Sequence, residues 1–136
     1  MTADRGERAR RDLKRLLANG LLTLLPKRPS DQELVAALAA SRFDAQKSYS
    51  ETEVNDQLVA WLGSISEEYG IDHVTMRRLL VDLRLLVRTS SGSTYQVNEA
   101  KATDLDAVRA IDPAAIAAEI QAERSRRKQA ARPGGS

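Results

Sequence analysis

The stretch from Tyr49 to Val97 constrains the fold more than any other part of the chain. It opens Tyr49-Ser50-Glu51-Thr52-Glu53-Val54-Asn55 and passes into Val54, Leu58, Trp61 and Leu62, one apolar stripe at helical spacing. Ser50 as N-cap with Glu53 three residues on makes a capping box, and Gly63 is a stop. Asp72 then caps a second helix. Met76, Leu79, Leu80 and Leu83 share one of its faces; His73, Val74, Arg77, Arg78 and Val81 fall largely on the other. Leu85 to Arg88 reads as a strand, and Thr89 to Ser93 as a turn in which Gly92 supplies positive φ. Thr94 to Val97 alternates and returns as a second strand, and Tyr49 adds a brief strand before the first helix. Helix, helix, strand, turn, strand predicts a winged helix-turn-helix, an α+β fold that is mainly helical. The connection from Ser64 to Gly70 is longer than a tight helix-turn-helix requires, and Ile65 and Tyr69 are available to cover the core from it.

Upstream, Met1 to about Glu7 is expected to be disordered. Leu13, Leu16 and Leu17 then predict a helix over 8–19, closed by Gly20. Leu21 to Leu25 is too short to classify: an extended segment and a helical turn both fit. Pro26 and Pro29 break the chain. Ser30 and Glu33 form a second capping-box pattern, which predicts a helix from Asp31 to about Ser41 with Leu34, Val35, Leu38 and Ala39 on one face and Phe43 closing it. Downstream, a short helix is expected over 104–110. Asp112-Pro113 opens an Ala-rich helix carrying Ile116 and Ile120. The organisation is therefore a basic N-terminal helix or arm over 1–19, a winged-helix-like domain over 20–98, a C-terminal helical extension over 99–132, and a disordered tail over 133–136. The apolar stripes of the two terminal helices are narrow. They fit two readings: these helices pair, within one chain or across a homodimer, or each drapes over its own domain.

The motifs narrow the function by exclusion. There is no cysteine, and the single histidine, His73, has no metal-ligand spacing around it. No nucleophile-base-orienter set and no glycine-rich phosphate loop can be drawn. The chain is not expected to be an enzyme, nor to hold a cofactor or metal. The apolar runs Leu21–Leu25 and Val35–Ala40 are too short to span a bilayer, and the charged start lacks a secretory h-region. A cytoplasmic protein with no membrane partner is expected. The formal net charge is only +2, but its distribution is uneven. Arg5, Arg8, Arg10, Arg11, Lys14 and Arg15 crowd one end; Arg124, Arg126, Arg127, Lys128 and Arg132 crowd the other. Basic ends suit arms that track phosphate, or solvated termini.

Double-stranded DNA is the leading partner. Arg77 and Arg78 stand where a recognition helix enters the major groove, and arginine can bond guanine bidentately or clamp a phosphate. Val74 suits a thymine methyl, His73 and Thr75 lie near base edges, and Arg88 at the hairpin base is placed for a phosphate or the minor groove. Asp82 opposes this reading, because Arg78 and Asp82, four apart, also fit a solvated ion pair. The alternatives are a non-catalytic module whose same helix docks on a protein, or RNA or ribosome association through the basic tails.

Gly20-Leu21, Leu25-Pro26-Lys27-Arg28, Leu38-Ala39, Phe43, the Tyr49-to-Asn55 element, Asp72-His73-Val74-Thr75-Met76-Arg77-Arg78-Leu79-Leu80-Val81-Asp82, Leu85-Leu86 and Gly92-Ser93-Thr94-Tyr95 resemble an uncharacterised bacterial winged-helix-like domain family. Its members stand alone or follow a DNA-binding domain in transcriptional regulators. The resemblance covers about Gly20 to Val97. It implies a fold and a regulatory setting, and no known chemistry. The chain departs from the pattern in a longer segment from Trp61 to Ile71, in the interruption of the basic run by Pro29, Asp31 and Glu33, and in residues 98–136, which lie outside it.

Overall fold

The computed structural model, which describes residues 2–91 and 94–131, is α+β and mainly helical. Its elements run α1 (Thr2–Leu16), α2 (Pro29–Ala40), β1 (Tyr49–Ser50), α3 (Glu51–Leu62), α4 (His73–Asp82), β2 (Leu86–Arg88), β3 (Thr94–Val97), a 3-10 turn (Glu99–Lys101), α5 (Ala102–Val108) and α6 (Pro113–Ala131). The strands form one three-stranded antiparallel sheet in the order β1-β3-β2. Tyr49 pairs with Tyr95, and Arg88 pairs with Tyr95 from the other side.

Local capping chemistry sets most boundaries. Ser50 Oγ accepts from the Glu53 amide at 3.1 Å while Glu53 Oε1 accepts from the Ser50 amide at 2.9 Å, so the capping box opens α3 as its sequence dictates. That amide bond, first among the causes, holds the Glu53 carboxyl below its usual range. Asp72 caps α4 by accepting from the Thr75 amide at 2.7 Å. Asp112 Oδ1 accepts from the Ala114 amide at 3.0 Å, and Pro113 begins α6. The expected cap at Ser30 is not used. Arg28 is the N-cap of α2, makes no side-chain cap, and Pro29 takes the first helical position, where its fixed φ fits and its missing N–H costs nothing. The helix therefore starts two residues before the expected Asp31.

The N-terminus also departs from expectation, since α1 begins at Thr2 rather than after Glu7. Its support comes from far along the chain. Ala9, Leu13 and Leu17 are buried in the same core as Leu105, Ile116 and Ile120. Arg5 pairs with Asp104, and Arg10 Nη2 lies 2.6 Å from Glu119 Oε2. Lys14 Nζ lies 2.8 Å from Glu123 and 3.3 Å from Glu119, and Arg124 donates to the Ala18 carbonyl just beyond α1. Successive partners advance together along both helices, so α1 and α6 run in the same direction. The terminal helices thus pair within one chain.

The remaining core follows the expected stripes. Val54, Leu58, Trp61 and Leu62 of α3 and Met76 and Leu80 of α4 are buried, and Phe43 meets Tyr49 edge-on with ring centroids 5.0 Å apart. Ile65 is buried as expected from the long connection. Tyr69 is not: it is 94% exposed and covers nothing. Leu21–Leu25 is neither a strand nor a helix: it bends at Leu21, Thr23 and Leu24 and is tied to that connection by Leu22 N to the Ile65 carbonyl and Glu67 N to the Leu22 carbonyl, both 2.9 Å. Gly20 turns the chain into it at φ 118°. α4 ends in a Schellman arrangement, with Leu85 N donating to the Leu80 carbonyl and Arg84 N to that of Val81. The left-handed position there, usually glycine, is Arg84 at φ 59°. The expected turn glycine Gly92 and the expected tail over 133–136 lie outside the described residues.

Candidate functional site

The outward side of α4 is the most composed polar surface in the central segment. Asp72 fixes its start: Oδ1 takes the Thr75 amide and Oδ2 its hydroxyl at 3.1 Å. The Thr75 bonds, the amide first, hold the Asp72 carboxyl below the usual carboxylate range. Val74, Thr75 and Arg78 then share the outer face, with Thr75 and Arg78 exposed and Val74 and His73 half-buried. Arg78 and Asp82 form no ion pair among the described residues, so the guanidinium at the middle of this face is presented to solvent rather than to its i+4 carboxylate.

Arg77 is placed differently from the sequence expectation. Its side chain is only 18% exposed. Nη1 donates to Asn55 Oδ1 at 2.5 Å and Nη2 stands 3.8 Å from Glu51 Oε1, so it clasps α4 to the first turn of α3. Glu51 also accepts from the Tyr95 hydroxyl at 3.0 Å. Burial, then the bond to Glu51, pushes that phenol above its ordinary pKa. Arg88 is exposed at the end of β2, with Cζ 5.9 Å from the centroid of the Tyr95 ring. Arg77, Glu51, Tyr95 and Arg88 therefore form one continuous polar cluster joining α3, α4 and the sheet. Of the expected site residues, the fold brings Val74, Thr75 and Arg78 to one face, turns His73 toward a cleft lined by Val59, Leu62 and Ile71, and sets Arg88 apart, at the sheet end of the polar cluster. Sequence reasoning missed Asn55 and Glu51; the Glu-x-x-x-Asn spacing, which puts both on one side of α3, is the signal that points to a shared partner.

The family model described as an uncharacterized protein conserved in bacteria (DUF2087) matches residues 21–97. The chain belongs to this family. No curated protein and no solved structure matches it. The DUF2087 segment holds α2, β1, α3, α4, β2 and β3, and so holds the whole α4 face and the Arg77 cluster. Helices α1, α5 and α6 lie outside it. Among the described residues no group of three or more His, Cys, Asp and Glu side chains is arranged to hold a metal ion, and no helix is long and apolar enough to cross a membrane.

Proposed function

We propose that this DUF2087 protein is a DNA-binding transcriptional regulator in which α3, α4 and the β2–β3 hairpin act as a winged helix-turn-helix. The observation that carries the reading is the combination of sheet order and helix placement. A two-residue strand between α2 and α3 pairs with β3, β2 takes the other edge, and α4 precedes the hairpin with Thr75 and Arg78 exposed and Val74 half-buried. In a winged helix this is the helix that enters the major groove, with the hairpin following the backbone. Arg78 then bonds a guanine edge or a phosphate, Val74 and Thr75 contact base edges with His73 beside them, and Arg88 reaches phosphate. Arg77 serves as the clasp that sets the angle between the two helices.

Fluorescence anisotropy on a panel of duplexes tests this. Arg78→Ala should cost about 1–3 kcal/mol of binding, and Arg88→Ala should weaken binding on all sequences and flatten the salt slope. Equal affinity of parent and Arg78→Ala at two salt concentrations removes α4 from the interface.

A second reading has a specific observation behind it. Arg77 is occupied by Asn55 and Glu51, and Asp72 and Asp82 flank the lone free guanidinium of α4. A face of that charge balance also suits a protein partner. A parent chain that binds no duplex at about 0.05 M salt, where phosphate contacts are strongest, favours it.

A further inference from the structure

Among the described residues, three large hydrophobic side chains stand exposed in or beside the segments around the long α3–α4 connection: Leu24 at 69%, Val59 at 58% and Tyr69 at 94%. The Leu22–Ser66 bridge brings the segments of Leu24 and Tyr69 together, and Val59 lines one cleft with Leu21. Gly70 allows this close approach, since a Cβ there would come within 2.9 Å of the Leu22 carbonyl. Beside them lies a cleft of about 580 Å³ with Leu21, Val59, Leu62 and Ile71 in its wall and Glu67, Glu68 and Asp72 at its rim. Exposed apolar side chains clustered in this way mark interaction surfaces. A rim with three carboxylates sets the sign of what docks there.

The complementary sign is found on α6. Because α6 runs parallel to α1 and Arg124 is bonded to the Ala18 carbonyl, α6 continues past the end of α1. From Arg124 to Ala131 every residue is exposed, and Arg126, Arg127 and Lys128 sit on it. This overhang projects about 10 Å at 1.5 Å per residue. Among the described residues, Arg126, Arg127 and Lys128 form no ion pair with Glu67 or Glu68 of their own chain.

We infer that this region is a self-association surface, on which the basic overhang of α6 from a second copy lies across the Glu67–Glu68–Asp72 rim while Leu24, Val59 and Tyr69 are buried between the copies. A two-fold axis makes the exchange reciprocal, because each chain carries both an arm and a rim. The occupant is a second copy because one surface holds both halves of the complementarity and, among the described residues, Arg126, Arg127 and Lys128 make no ion pair with the exposed Glu67 and Glu68. Thr75 and Arg78 of α4 are not used, although Asp72 and His73 at the start of that helix line the same cleft, so duplex binding is measured beside association to tell the two readings apart.

Sedimentation velocity on the full chain across a concentration series at about 0.05 M salt tests it. The parent should dimerise. R126E/R127E and E67R/E68R should each abolish the dimer, and the four changes combined should restore it. Leu24→Asp should also abolish it, and the emission of the single buried Trp61 checks that each variant is folded. A parent that stays monomeric at the highest concentration overturns the inference, as does a dimer that survives both charge reversals. A monomer whose duplex affinity falls on R126E/R127E overturns it too, and assigns the arm to phosphate.

Discussion

The α3–α4 pair and the α1–α6 pair are both two helices fastened by charged side chains, but they are fastened over different distances along the chain. In the first, Ser50 and Glu53 are three residues apart, Asp72 and Thr75 are three apart, and Arg77 reaches Asn55 across 22. In the second, Lys14 reaches Glu119 and Glu123 across 105 and 109 residues. Short-range polar groups fix where an element begins; long-range ones fix where it lies. The first pair leaves Arg78 free toward solvent. The second neutralises Arg10 and Lys14 and leaves its free cations on the α6 overhang. Positive charge abundant in the sequence of α1 is therefore largely committed, while the sparser charge of α4 is available.

The comparison breaks most sharply in the core. Leu80 of α4 and Leu13 of α1 are both fully buried. Each Leu→Ala change should cost about 2–5 kcal/mol, read from urea midpoints with Trp61 emission. If Leu13→Ala costs well under 1 kcal/mol while Leu80→Ala costs the full amount, the terminal pair is an appendage rather than part of the same core. The next effect separates two adjacent arginines. Arg77→Ala should lose about 1–2 kcal/mol of stability through its bonds to Asn55 and Glu51, whereas Arg78→Ala should stay within about 0.5 kcal/mol of parent. Equal losses would mean that Arg78 is also held inside the fold.

These two sites show what was legible in the sequence. The α3 capping box, the Asp72 cap, the strands and the buried stripes all follow from residues within a few positions of one another, and the structure bears them out. The start of α1 did not follow, because Thr2 to Glu7 carries little apolar signal of its own and depends on Asp104, Leu105 and the α6 seam. Ser30 lost its cap role to Pro29, a competition between two good local signals. Arg77 and Arg78 look alike in the sequence. Only the approach of Asn55 and Glu51 distinguishes the clasp from the free side chain.

Smaller effects sharpen the picture. Arg84 occupies a left-handed position that costs an L residue about 1 kcal/mol, so Arg84→Gly should raise the urea midpoint by an amount near that, less the extra freedom glycine has when unfolded. No gain would mean that contacts of the arginine offset the backbone cost. The smallest expected effect is a pH dependence. The Asp72 carboxyl is depressed by its bonds to Thr75, so its contribution is present above the unfolded pKa and lost as pH falls through the lower folded value. Asp72→Asn keeps a capping oxygen without titrating. Stability of the parent should therefore fall more steeply than that of Asp72→Asn as pH drops below about 4. Parallel acid curves would show that the cap charge carries no weight.

The parallel course of α1 and α6 also has a mechanical consequence. Force applied to the start of α1 and the end of α6 pulls the two helices lengthwise past each other instead of peeling them apart. The Arg10, Lys14 and Arg124 contacts and the buried Leu13, Leu17, Ile116 and Ile120 are then loaded together. A tether on both termini strains this seam in shear, so the seam should yield in one step at high force, and the DUF2087 segment between the helices is shielded until it does.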